Sequence, residues 1–189
     1  MDNRSQLLAV ALKLFADQGY DAVGVQTIVE TAGVTKPTLY HYFGSKRGLF
    51  EALVREKSEM LLAEVREASA YNNDITGSIT QVVKVYFSYV ERQPTFYRMV
   101  MSMWYAPPSS EYFSSVHDLL RQQSHLLEEM FRCAGEQHGN MRGRHRQYAV
   151  SLKGIIDTYI GLGLQGYVNL KSEDLIYRVI HQFMHGIFS

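Results

Sequence analysis

The feature that most constrains this chain is a helical spacing of apolar residues that recurs from one end to the other. Leu7, Leu8, Ala11, Leu14 and Phe15 return every three or four positions, the interval that places side chains on one face of a helix. The same interval governs Ile79, Val82, Val83, Tyr86, Phe87 and Val90, and again Leu175, Ile176, Val179, Ile180, Phe183, Met184 and Ile187. No segment shows the two-residue alternation of a half-buried strand, and only four prolines punctuate 189 residues. The expected fold class is all-α. With 46% hydrophobic and 20% charged residues, the chain is apolar enough to bury a core and excludes a disordered polyelectrolyte.

Capping and breaking residues divide the pattern into elements. A first helix, opened by Asp2 or Asn3 and ended by Gly19, is followed by a short one over 25–32 that stops at Gly33. Thr35 caps a third, with Pro37 in its first turn and with Tyr42 and Phe43 expected in the core alongside Leu39. Ser45 caps a long helix to about residue 70, and Asn72-Asn73-Asp74 marks a turn. Helices are then expected over 76–90, 96–105, from the Pro107-Pro108-Ser109-Ser110 punctuation to about 133, over 146–168 and over 172–188, with a loop at 135–143. The division that follows is a head of residues 1–48 and a body of residues 49–189.

Charge narrows the function classes. The formal net charge is zero, so a nucleic-acid contact must come from a local patch. The lone Cys133 allows no internal disulfide, no apolar leader opens the chain, and the weakly polar stretch 159–168 has about half the length of a membrane span. These point to a cytoplasmic protein. No P-loop, dinucleotide fingerprint or nucleophile elbow occurs, so no catalytic residue, cofactor or metal is expected and the chain reads as a non-enzyme. His181 and His185 have metal-ligand spacing, but two histidines do not make a site.

The second and third helices, joined through Gly33 and braced by the first, suggest a helix-turn-helix, whose second helix enters the major groove of DNA by its N-terminus. That helix offers Thr35, Lys36, Pro37, Thr38, Tyr40 and His41 outward: hydroxyls and an amine for phosphates and base edges, and an apolar ring for a thymine methyl. From Gly33 to Phe50 the charged side chains are Lys36, Lys46 and Arg47, with no acid. The helix start at Ser45-Lys46 adds oriented amides suited to a phosphate. The run Gly33-Val34-Thr35-Lys36-Pro37-Thr38-Leu39-Tyr40-His41-Tyr42-Phe43, with Ser45-Lys46 and Leu49-Phe50 after it and Leu7-Leu8, Ala11, Leu14-Phe15 and Gly19-Tyr20 before it, resembles the signature of the tetracycline-repressor (TetR) family. The resemblance covers about residues 4–53. It implies that Thr35 to His41 lie in the major groove, with Tyr40, His41 and Lys46 mostly on phosphates. The sequence departs from the family at Gly24, where a hydroxyl cap is usual, at Val23 and at Val29.

Beyond that segment the resemblance is architectural. Residues 71–135 are crowded with aromatics and methionines, side chains that line adaptable apolar pockets; Phe87, Tyr97, Met101 and Trp104 are the expected ligand-binding residues, with Arg98, Glu91 and His117 as candidate polar anchors. The family's bodies usually bind an inducer, and its last two helices usually dimerise. The helix over 146–168 carries Gly154, Gly161, Gly163 and Gly166, and glycines so costly to a helix suggest close packing against a partner; Gly163 and Phe183 are the expected dimer-interface residues. The expected function is that of a dimeric, sequence-specific regulator on an inverted-repeat double-stranded DNA operator, most often a repressor in this family, released by a small apolar or aromatic effector. The alternative is an enzyme or carrier that binds a small molecule in the body and uses its N-terminal helices as scaffold.

Overall fold

The structure, a computed structural model, describes residues 2–186; Ile187 and Phe188, assigned above to the last helix, lie outside the described residues. Nine α-helices and no strand occur among the described residues: α1 Asn3–Gln18, α2 Val25–Thr31, α3 Lys36–Phe43, α4 Lys46–Ala68, α5 Ile75–Arg92, α6 Pro94–Met103, α7 Phe113–Gln137, α8 His145–Leu164 and α9 Glu173–His185. The fold is all-α, a helix-turn-helix head with a helical body.

Local chemistry accounts for most ends. The Asp2 carboxylate accepts the Ser5 amide at 2.7 Å and opens α1. Asp74 does the same for α5 through the Gly77 amide at 2.9 Å, and Ser172 caps α9 through the Leu175 amide. Two boundaries differ from expectation. Helix α7 begins at Phe113 and continues past Gly135 to Gln137, leaving only a 3₁₀ turn, Gly139–Met141, of the loop expected at 135–143. The returning chain packs closely there, since a Cβ on Gly135 would stand 3.5 Å from the Met141 carbonyl oxygen. Helix α8 stops at Leu164 and not at 168, because Gly166 takes φ +80 and the Tyr167 amide turns back to the Leu162 carbonyl at 3.0 Å.

The chain divides into two compact units, residues up to 59 with 95–119, and residues 60–94 with 120 onward. In the first, α1, α2 and α3 close over Leu7, Ala11, Phe15, Ile28, Leu39, Leu49 and Phe50, all buried. This packing unit is larger than the 1–48 segment that carries the motif. Tyr112, far along the chain, lays its ring 5.2 Å from Tyr20 and 6.0 Å from Phe50, joining the aromatic cluster of Phe15, Tyr20 and Phe50. In the second, α5 packs on α8 and α9, around buried Val82, Val83, Tyr86, Phe87, Leu127, Phe131, Leu152, Ile156 and Val179.

Candidate functional site

The turn between α2 and α3 is built from Gly33 and Val34. Gly33 takes φ +63, a region other residues enter only with strain, and the Val34 amide then reaches the Val29 carbonyl at 2.9 Å. Thr35 follows as the N-cap of α3: its hydroxyl oxygen accepts the Thr38 amide at 3.4 Å and lies 2.9 Å from the Thr38 hydroxyl. Pro37 sits in the first turn, where its missing amide costs nothing. At the head of α2, Gly24 makes no side-chain cap, as the lack of a hydroxyl there dictates.

Leu39 is the buried anchor of α3. Thr35, Lys36, Pro37, Tyr40 and His41 are exposed, and Thr38 is half-buried. Tyr42, expected in the core, is 41% exposed, with its ring against His41 at 5.2 Å and Phe43 at 6.1 Å. An eight-residue helix held by Leu39 has too short a buried face to cover three consecutive large side chains. Phe43 is half-buried beneath the Arg4 guanidinium, 5.5 Å from its ring centre, and Arg4 also pairs with Glu56.

Helix α4 begins against α3. The Ser45 hydroxyl accepts the Gly48 amide at 2.9 Å, and a Cβ on Gly48 would fall 2.0 Å from the Phe43 carbonyl oxygen, so the junction admits only glycine. Lys46 is turned inward. Its Nζ donates to the Tyr20 and Val23 carbonyls, 3.1 Å each, and stands 4.0 Å from the Tyr20 ring centre. Two of its three N–H groups are thus directed at the α1–α2 loop. Arg47 pairs with Glu51 at 2.7 Å, an acid one residue beyond the basic stretch. The exposed cation on the outward face of α3 is Lys36. Tyr20 completes the arrangement by donating to Glu111 at 2.7 Å; burial first, and that bond second, push its phenol well above the usual range. Sequence reasoning had no means of finding Glu111, because it lies 91 residues from its partner.

The residues expected to hold a ligand fall in both units. Tyr97 is buried on α6, with Met101 one turn on and Trp104 just beyond the helix, both half-buried in the first unit; Phe87 is buried on α5 in the second. Of the candidate anchors, Glu91 pairs with Lys171 at 3.0 Å, His117 stacks on Phe113 at 3.8 Å, and Arg98 is exposed. A polar group not singled out from sequence lies inside the second unit. Lys153, buried on α8, donates to both oxygens of buried Asp157 at 2.6 and 2.5 Å. Its Nζ stands 5.2 Å from the Tyr86 ring centre, and the Tyr86 hydroxyl donates to Gln123 at 2.9 Å. Burial lowers the Lys153 ammonium and raises the Tyr86 phenol. The i, i+4 spacing from Lys153 to Asp157 was visible in the sequence; the burial that makes it unusual was not.

On the last two helices, Gly163 faces its own chain: a Cβ there would meet Leu170 Cγ at 2.6 Å. Gly154 opens to empty space, and Gly166 serves the turn. Phe183 is half-buried, 6.1 Å from Phe131. Outward, Val150 and Tyr177 are each 64% exposed and Met184 is exposed as well. No cluster of three or more metal-ligating side chains occurs among the described residues, and no described helix is long and apolar enough to cross a membrane.

Fold and site together define a helix-turn-helix protein: a glycine turn, a capped and outward-facing second helix, and a brace of α1 and α4 behind it. The profile described as "Bacterial regulatory proteins, tetR family" matches residues 7–53, so over that segment the chain is similar to the TetR family. Relatives include the HTH-type transcriptional activator FasR of Mycolicibacterium smegmatis, 34% identical over 52% of this chain and 45% of that one. The HTH-type transcriptional repressor KstR2 of Rhodococcus jostii is 30% identical over 47% of this chain and 43% of its own. The match therefore spans less than half the length of these relatives. Solved structures extend the likeness of fold over nearly the whole chain. A Clostridium perfringens putative fatty acid metabolism regulator has a TM-score of 0.80 at 19% identity, covering 97% of this chain and 99% of its own. The Bacillus subtilis regulator FadR, solved with stearoyl-CoA, has a TM-score of 0.75 at 19% identity, covering 97% and 98%.

Proposed function

We propose that this chain is a cytoplasmic, ligand-responsive transcriptional regulator that binds an inverted-repeat operator as a homodimer. The observation that carries the reading is the exposed face of α3: Thr35, Lys36, Pro37, Tyr40 and His41 stand outward from a helix held by Leu39 and capped by Thr35. Thr38 and Lys36 read base edges, and Tyr40 and His41 contact phosphates. Lys46 contributes by fixing the α1–α2 loop and by adding charge at the start of α4, next to amides that suit a phosphate. Two-fold pairing is supported by the apolar side chains that α8 and α9 leave outward, Val150, Tyr177 and Met184. Gly163 and Phe183 act from behind that seam, setting the packing of the helices that form it.

The effector is a long acyl compound, with Tyr97, Met101 and Trp104 of the first unit as its candidate contacts. Stearoyl-CoA in the Bacillus subtilis neighbour supports the class. Helix α4 is unbroken from Lys46 to Ala68 and supplies residues to both compact units, so a change in the body has a helical path to the head. For the switch to work, the effector must favour the DNA-incompetent form by a few kcal/mol, as equal affinity for both forms shifts nothing. Operator released by palmitoyl-CoA, and palmitoyl-CoA affinity lowered by the same factor in the presence of operator, is the expected result. Equal affinity with and without operator would contradict the switch and leave the DNA-binding proposal in place.

A further inference from the structure

Tyr20 is held from two directions. On one side the Lys46 ammonium donates to its carbonyl at 3.1 Å and stands 4.0 Å from its ring centre. On the other its hydroxyl donates to Glu111 at 2.7 Å, and Tyr112 lays a ring 5.2 Å from its own. Tyr20 is buried, so its hydroxyl needs a partner, and the α6–α7 turn supplies one. That turn carries Pro107 and Pro108, which fix the backbone locally. It is closed by the Ser110 amide on the Pro107 carbonyl at 2.9 Å and the Phe113 amide on the Ser110 carbonyl at 3.1 Å. Helix α7 starts at the residue after Tyr112. The turn lies beyond the matched segment 7–53, yet it packs in the same unit.

We propose that Glu111 and Tyr112 are positioning residues for DNA binding, acting through Tyr20 on α3. The route is short. The Tyr20 carbonyl also accepts the Val23 amide at 3.3 Å, and α2 starts two residues later, at Val25. Helix α2 in turn fixes α3 across the Gly33 turn, where the Val34 amide reaches the Val29 carbonyl at 2.9 Å. Releasing the Tyr20 hydroxyl loosens the α1–α2 loop on one side and so loosens the angle at which α3 is presented. Contacts to base edges depend on that angle, whereas attraction to the phosphate backbone depends mainly on charge. The proposal rests on the reading of α3 as the DNA-reading helix and adds a brace from a distant part of the chain.

The test titrates the full chain, well below its melting temperature, with two duplexes of equal length: the inverted repeat that wild type enriches from genomic fragments, and a scrambled sequence. The readout is the preference for the repeat. Glu111→Ala, Tyr20→Phe and the two combined should each lower it by about fivefold, the size of one hydrogen bond lost once. Glu111→Gln removes the same charge as Glu111→Ala but keeps an acceptor, so it should retain the wild-type preference; the difference between the two isolates the bond from any electrostatic effect on DNA. Tyr112→Ala should lower the preference and Tyr112→Phe should not. A contact that only stabilises the fold would lower the melting temperature of these variants and leave the preference of the folded protein intact, which would overturn the proposal. Equal losses in Glu111→Gln and Glu111→Ala would overturn it as well. A wild type that enriches no inverted repeat would overturn the reading of α3 and the proposal together.

Discussion

Lys46→Met removes the ammonium that holds the α1–α2 loop and keeps the aliphatic stem over Tyr20. Three interactions disappear: two hydrogen bonds of 3.1 Å to the Tyr20 and Val23 carbonyls and a ring contact at 4.0 Å. An enclosed hydrogen bond to a charged donor contributes about 1.5–3 kcal/mol. Lys46 is only half-buried, and solvent screening brings each bond nearer to about 1 kcal/mol. The ring contact adds about 0.5–1 kcal/mol, giving an expected loss of about 2–3 kcal/mol. Urea unfolding followed through Trp104, the chain's one tryptophan, which lies in the same packing unit as Lys46, measures it directly. Operator affinity should fall with it, while the dependence of binding on salt changes by less than a full ion. Unchanged stability together with a salt slope reduced by about one ion would refute the reasoning and return Lys46 to the role of a plain phosphate contact.

Lys36→Ala and Thr38→Ala should each change which operator bases are preferred, checked by selection from random duplexes. Gly48→Ala should destabilise the first unit by about 2–4 kcal/mol in urea, since its Cβ meets the Phe43 carbonyl oxygen at 2.0 Å. Gly163→Ala should cost about 1–3 kcal/mol through its clash with Leu170, and Leu170→Ala in the same chain should recover part of that loss; no recovery would show that Gly163 faces something other than its own chain. Hydrogen bonding to Arg4 holds the Glu56 carboxyl below the usual range. Its folded pKa is depressed, so its contribution is full above the unfolded value and is lost as pH falls through the folded one. Both partners are more than a third exposed, which limits the effect to under about 1 kcal/mol, read as the extra acid sensitivity of wild type over Glu56→Gln.

The α3 site was legible in sequence because its determinants are local. Gly33, Thr35, Pro37 and Leu39 act within one turn of where they stand, and composition alone separates outward from inward positions there. Tyr42 marks the limit of that logic, since period and size both favour burial and only the shortness of α3 opposes it. The partners of Lys46 were hidden for a different reason: a lysine at a helix start looks the same whether it points to solvent or back onto a loop 26 residues earlier. Helix ends at Leu164 and Phe113 shifted because a positive φ at Gly166 and the turns before α7 are set by packing that no short window contains. The glycines of α8 looked alike in sequence and proved different, Gly163 meeting Leu170 and Gly154 meeting nothing.

The central claim is that the outward face of α3 reads DNA in a two-fold assembly. Its most direct measurement is the capture of fragmented genomic DNA of the source organism by the purified protein, sequenced and repeated with Lys36→Ala/Thr38→Ala. The account predicts enrichment of one inverted repeat by wild type, with symmetric half-sites and a spacing close to a whole helical turn or its multiple, and loss of that motif with the double variant. Enrichment without two-fold symmetry, or the same motif recovered by both proteins, would contradict it.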